Sequence, residues 1–430
     1  MKLLIHDLNA KEWDLVRGEY EGWTVVSDDG TIHPCVGCFC CWHKDPGHCI
    51  IRDNYNNMGY LIHHAESVTV ISRFTYGGFS GFVKNVFDRS LGYVLPQFEV
   101  IGGETHHKKR YDEDKEFTFI FRGQNLSGEE KESARRYVQA VCTNIRGHVK
   151  EVIFREDEVI SPENEMDIRE DEMGIREDEM NIRGNEVGSQ KNDTASEHFE
   201  SPACETAPEC EPSEPPITQR APKTILLNGS MRTIDGNSAR MGRRLAGLIN
   251  GKTDNYNLRD YLEDLPALVR RLDQADAVVL CTPLYVDGLP AQVIRLMETF
   301  EAMRCGKGLR IYLLANMGLF ESRQLVNLFT AVRQWCGKTG CSYCGGLGVS
   351  AGEMLGLMIE KMPFGSSFTK KAAEGMTKLA EAITRRENTE DIFAEPYRFP
   401  RFLYVLIANG GWVRQAKRNG INPKDLYRRL

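Results

Sequence analysis

The chain has 430 residues, is 41% hydrophobic, and carries a formal net charge of −7 with a mean hydropathy of −0.40. That length calls for two or three domains with sizeable cores and excludes a wholly disordered chain. No apolar run approaches the roughly 18 residues of a membrane span: the longest is the seven residues at 402–408, and charge appears as early as Lys2 and Asp7, which argues against a secretory leader, so the expected location is the cytoplasm.

The charge is unevenly spread. Residues 155–220 hold 20 Asp/Glu against 6 Lys/Arg, a net of −14, so the remainder has 48 basic and 41 acidic residues, or +7. That excess is too weak and too scattered to imply a nucleic-acid partner. Thirteen cysteines in a cytosolic chain read as ligands or thiols rather than a disulfide framework.

In chain order, short apolar runs predict strands at 3–6, 24–27, 68–72, 117–121 and 149–154, with helical patterns between them. After the second strand comes Cys35-Val36-Gly37-Cys38-Phe39-Cys40-Cys41-Trp42, then Cys49. Cys35, Cys38, Cys41 and Cys49 form a C-x2-C-x2-C-x7-C pattern whose spacing suits a [4Fe–4S] cluster held by one loop. Zn²⁺ and reduced thiols stay open as alternatives. The third strand runs into Ser72-Arg73-Phe74-Thr75-Tyr76-Gly77-Gly78-Phe79-Ser80. His63, His64, His106 and His107 lack ligand spacing to the cysteines and read as solvated loop histidines.

Residues 155–222 repeat Ile-Arg-Glu-Asp-Glu-Met at 168–173 and 175–180 and then turn rich in Pro, Glu and Ser. The repeating Ile and Met lie two apart, about 200° around a helix, so they share no stripe and a coiled coil fails. A disordered acidic linker is expected.

Strands are expected again at 224–228, 254–257, 277–281, 311–315 and 342–345. The alternation implies two doubly wound, mostly parallel five-stranded sheets joined by the linker. The strand at 224–228 leads into Gly229-Ser230-Met231-Arg232 and Gly236-Asn237-Ser238 before a helix. Such a turn offers backbone N–H groups, the hydroxyls of Ser230 and Ser238, the Asn237 amide and the Arg232 charge to an anion. An ordinary turn with Ser238 as helix N-cap is the bland alternative. It is neither a Walker A loop nor a G-x-G-x-x-G fingerprint.

Asn228-Gly229-Ser230-Met231-Arg232 with Gly236-Asn237-Ser238 resembles the phosphate loop of the flavodoxin-like NADPH-dependent FMN reductases. Two further segments match that family in order: Pro283-Leu284-Tyr285-Val286-Asp287-Gly288 after the third strand, and Asn316-Met317-Gly318 after the fourth. The resemblance covers roughly residues 223–350. It implies FMN bound by Ser230, Arg232, Asn237 and Ser238, with Pro283, Leu284, Tyr285, Val286, Asp287, Gly288, Asn316 and Gly318 along the isoalloxazine ring, and NAD(P)H as co-substrate.

The first half resembles the same family. Its cysteine segment is similar to the compact motif of iron–sulfur flavoproteins, and Tyr76 matches Tyr285 in placement as a ring contact. Its first strand, however, ends in His6-Asp7-Leu8-Asn9, with no Gly-Ser-x-Arg and no Gly-Asn-Ser, so the phosphate cradle is lost.

The expected organisation is therefore 1–154 as a flavodoxin-like domain with the cysteine segment, 155–222 as linker, 223–387 as the FMN-binding domain, and 388–430 as a basic helical extension. From 395 to 430 there are 8 basic and 2 acidic residues. That extension is expected to pack on the domain or on a partner subunit rather than on a membrane surface. The two halves are expected to form an intramolecular pseudo-dimer in which the first caps flavin held by the second, with further homo-oligomerisation open. The resemblance implies an NAD(P)H-dependent flavin oxidoreductase passing electrons to a small-molecule or protein acceptor. The alternative is a non-catalytic flavin/iron–sulfur electron carrier or redox-responsive binding protein.

Overall fold

The computed structural model describes residues 1–156, 223–232 and 236–429. The acidic repeat segment expected as a linker lies outside the described residues.

Nearly continuous apolar runs form two parallel sheets, as strands covered on both faces must. The first contains β1 (Lys2–His6), β2 (Thr24–Val26), β3 (Ser67–Arg73), β6 (Glu116–Arg122) and β7 (His148–Arg155), in the order β2-β1-β3-β6-β7. The second contains β8 (Thr224–Asn228), β9 (Thr253–Asn257), β10 (Ala277–Pro283), β11 (Arg310–Asn316), β12 (Ser342–Val349) and β13 (Ile392–Ala394), in the order β9-β8-β10-β11-β12-β13. Counted along each half, the shared order is 2-1-3-4-5, the flavodoxin-like doubly wound arrangement. The second sheet thus has six strands, not five. Three-residue β13 pairs with β12 from Leu347 to Val349 and is too short to read from sequence.

A second departure is the antiparallel hairpin of β4 (Val94–Ile101) and β5 (Glu104–Lys109). Gly102 and Gly103, at φ +58° and +87°, close it as a two-residue turn with both central residues left-handed, which glycine adopts without strain.

The described residues of both halves belong to one compact unit. The halves meet through the helices Gly81–Arg89 and Ala291–Ala302. A Cβ on Gly81 would lie 2.6 Å from Arg295 Cγ, so glycine sets this close approach. Arg73 pairs with Glu298 at 2.7 Å, and the Tyr76 hydroxyl donates to Glu301 at 2.5 Å. Fully buried Lys84 pairs with Asp88 beside them.

The basic C-terminal extension forms a helix, Arg401–Arg418, that packs on the hairpin. Asn409 clamps Phe98 through both its amide groups, accepting from the Phe98 N–H at 2.7 Å and donating to its carbonyl at 3.1 Å. No helix among the described residues is long and apolar enough to cross a membrane.

Candidate functional site

The loops after β8, β10 and β11 leave the C-terminal ends of their strands, where the winding direction reverses between β8 and β10. Open α/β sheets bind ligands at this crevice. Here the crevice is a cavity of about 340 Å³, within the usual range for small-ligand sites.

The phosphate-type loop forms one part of the wall, through Ser230, Arg232, Asn237 and Ser238. The helix Asn237–Ala246 begins at Gly236, which offers no side-chain cap. Among the described residues no side chain caps its first N–H groups, which suit an anion. Ser238 is not the N-cap; its oxygen accepts from Asn316 Nδ2 at 2.7 Å, which leaves its hydroxyl proton to donate. Ser230 Oγ accepts from the Arg232 N–H at 3.2 Å and likewise keeps its proton. Arg232 pairs with Glu353 at 3.0 Å and lies over the Phe39 ring.

The first half differs at the corresponding strand end. Asn9 caps the helix Ala10–Val16 itself, accepting from the Glu12 N–H at 3.0 Å, while Glu12 returns to the Asn9 N–H at 2.9 Å. The Asp7 carboxylate takes the Arg73 N–H at 3.0 Å. A self-capped helix beside an acid is no cradle for an anion.

Pro283, Leu284, Tyr285, Val286 and Asp287 line a second part of the cavity, and Asn316 and Gly318 a third. Tyr285 and Gly288 exchange backbone hydrogen bonds at 3.0 Å across Val286 (φ +37°) and Asp287 (φ +59°). Both central residues are left-handed, a turn that favours Asn-Gly and strains a β-branched valine. Gly288 does not line the cavity, and its Cα faces Tyr137 and Lys84. Tyr76 is also elsewhere, buried between the halves with its hydroxyl on Glu301. The turn of the first half pairs Thr75 with Gly78, so Thr75 is the counterpart of Tyr285, and Tyr76 that of Val286. The single-residue offset turns Tyr76 away from the position expected of it.

The rest of the wall comes from residues to which the sequence reading gave no place in the site. Phe39 and Trp42 lie within the cysteine segment, Phe98 and His107 belong to the hairpin, and Tyr404 and Trp412 to the C-terminal helix. Trp42 stacks on Phe39 at 5.1 Å and meets Trp412 edge-on at 5.3 Å. Residues from both halves and the C-terminal helix thus enclose one cavity. His107 is no solvated histidine: burial lowers its pKa to about 4, which keeps the ring neutral. His106 is buried as well, and faces Asn144 Oδ1 at 2.7 Å.

Two buried polar atoms at the cavity have no partner among the described residues: the Tyr285 hydroxyl and Asp287 Oδ2. The Tyr285 hydroxyl abuts Gly37, where a Cβ would come within 1.9 Å of it, and so ties the ring-type loop to the cysteine segment.

Cys35, Cys38, Cys41 and Cys49 surround a separate hollow, and Cys40 does not line it. Its volume is about 20 Å³, room for one water. Burial raises the Cys35 thiol to about 12 and lifts Cys41 as well, which favours thiols over thiolates. Among the described residues no group of three or more His, Cys, Asp or Glu side chains is arranged to hold a metal ion. As placed, these residues do not fit a [4Fe–4S] core or Zn²⁺, and no electron step is routed through them.

No protein-family model and no curated protein matches the chain. Solved structures with a similar fold include a WrbA-like flavodoxin from Agrobacterium tumefaciens, 15% identical over 39% of this chain and 100% of that chain, TM-score 0.28. They also include an FMN-dependent NADH-azoreductase from Bacillus anthracis, 12% identical over 38% of this chain and 99% of that one, TM-score 0.30. A third is the Trp repressor binding protein from Bacillus subtilis, 17% identical over 30% and 83%, TM-score 0.25.

Proposed function

We propose that this chain is an FMN-dependent NAD(P)H oxidoreductase whose cofactor occupies the shared cavity. The observation that carries the reading is the helix start at Gly236, which no side chain among the described residues caps, with Ser230, Asn237, Ser238 and Arg232 on the same cavity as the Tyr285 turn and the aromatic wall. A phosphate monoester needs several donors and a positive charge. A flat aromatic ring needs apolar walls with a few polar groups. One cavity offers both.

In this reading the 223–387 segment holds the cofactor, the 1–154 segment covers it, and the C-terminal helix closes the cavity through Tyr404 and Trp412. Bound FMN would supply the two-electron redox chemistry. Ser230, Ser238 and the first N–H groups of the helix Asn237–Ala246 would bind its phosphate. Arg232 would neutralise that charge, held in place by Glu353. Tyr285 and Val286 would support the ring, and Phe39, Trp42 and Trp412 would keep water from it. The electron acceptor would be a small molecule or a protein.

The test is titration of the full chain with FMN and with riboflavin, read by flavin fluorescence. FMN is expected to bind at least a hundredfold more tightly, and Asn237→Asp, which sets a negative charge in the helix's first turn, is expected to abolish most of that preference. Equal affinity for both ligands would sink the phosphate assignment.

A further inference from the structure

Asp287 occupies a place where a turn of this kind favours glycine. Its counterpart in the first half is Gly77, and Asp287 takes φ +59° beside the strained Val286. Strain of this sort persists where the surroundings enforce it, often at working sites. The side chain is 3% exposed and lines the cavity.

Its two carboxyl oxygens have different surroundings. Oδ1 accepts from Asn144 Nδ2 at 2.6 Å. Asn144 Oδ1 in turn faces His106 Nδ1 at 2.7 Å, so that nitrogen must carry the hydrogen. His106 Nε2 lies 3.7 Å from Glu104. This chain holds the carboxyl group from behind. Oδ2 is shielded from solvent and has no partner among the described residues. The other groups that act on Asp287 are Lys84, His106 and Glu104, and the buried Tyr137 and Cys142 lie near enough to feel its charge.

We propose that Asp287 is the acid–base residue of this cavity, its free oxygen delivering to the bound ring the proton that hydride transfer leaves out. The inference rests on the flavin reading above. A nicotinamide dinucleotide gives up one C–H bond and passes both electrons with one proton as hydride. A neutral two-electron-reduced ring needs one proton more. The Asp287 O–H bond breaks, a ring N–H bond forms, and the carboxylate left behind accepts from Asn144. Burial, the largest influence, pushes the Asp287 carboxyl up to about 6, with Asn144, His106 and Lys84 pulling it down and Glu104 pushing it up. A group that titrates near neutrality can both hold and release a proton under working conditions.

The experiment follows the Asp carboxyl carbons of the isotope-labelled full chain by NMR against pH, with and without saturating FMN. Wild type is expected to show an aspartate titrating near pH 6 that is absent from Asp287→Asn, distinct from the buried Asp7 and Asp88, which both proteins keep. FMN is expected to raise that midpoint by a pH unit or more, because the neutral carboxyl can donate a hydrogen bond to the ring and the carboxylate cannot. Reduction of the FMN-loaded wild type by NADH or NADPH is expected to be about a hundredfold faster than in Asp287→Asn, with FMN affinity within threefold. A midpoint unmoved by bound FMN overturns the role of Asp287 and leaves the flavin reading standing. FMN that does not bind at all overturns both. The wild-type comparison requires no variant to fold.

Discussion

Asp88 and Glu298 stand at equivalent positions on the two facing helices, and each gives a carboxylate oxygen to the first N–H of the other's helix. Asp88 accepts from Ala291 at 3.1 Å, and Glu298 accepts from Gly81. The exchange joins the halves as a two-fold pair would, within one chain. Their surroundings differ: Asp88 and its partner Lys84 are sealed from solvent, whereas Glu298 pairs with largely exposed Arg73.

That difference sets the first prediction. Asp88→Ala leaves the Lys84 charge buried without a counter-ion and is expected to cost about 3–5 kcal/mol. Glu298→Ala removes a partly solvated pair and is expected to cost about 1 kcal/mol or less. Urea denaturation at an unchanged m-value measures both. Equal costs would mean that the two carboxylates do not differ in what they hold together.

Gly37 governs the contact between the cysteine segment and the ring-type loop. It sits at φ +61°, and a Cβ there would meet the Tyr285 hydroxyl. Gly37→Ala is expected to cost about 1–2 kcal/mol from backbone conformation alone, with the clash added. In a Tyr285→Phe background the clash with oxygen is gone, so the same substitution is expected to cost about 1 kcal/mol less. A coupling of zero in the double-mutant cycle would place the hydroxyl elsewhere.

These residues also mark how far the sequence could be read. The parallel strands were legible because runs such as Val278-Val279-Leu280-Cys281 are apolar without alternation, which only strands covered on both faces afford. That Ser230, Arg232, Asn237 and Ser238 share one wall of the cavity was legible because they are close in sequence. The opposite wall was not: Phe39, Phe98 and Trp412 come from distant segments and meet only by packing. Gly102-Gly103 was a hairpin signal that the strand reading passed over, and with it went the burial of His106 and His107. Tyr76 misled because like residues in like loops need not share register. The pairing of Thr75 with Gly78 fixes that register, and it appears only in the backbone.

The cysteine hollow gives a spectroscopic prediction. Anaerobic incubation of the full chain with ferrous iron and sulfide, followed by desalting, is expected to leave iron well below one equivalent and no broad visible absorption. Stoichiometric iron lost on Cys41→Ala but kept on Cys40→Ala would reverse the assignment of these residues as thiols.

The last prediction concerns stability against pH. The folded Asp287 titrates at about 6, raised by burial, while an aspartate in the unfolded chain titrates near 3.9. The native state therefore holds this proton more tightly than the unfolded state does. Its contribution is complete below about pH 4 and is lost as pH rises through 6. Two units correspond to about 3 kcal/mol. His107, held neutral by burial, works in the opposite sense as pH falls. Comparing wild type with Asp287→Asn cancels it, because the variant keeps that ring. The free-energy difference between the two proteins, from denaturation without ligand, is expected to shift by about 2–3 kcal/mol in favour of the variant between pH 4 and pH 7. A difference flat across that range would mean that the carboxyl finds a partner or water at Oδ2 and titrates as an ordinary aspartate.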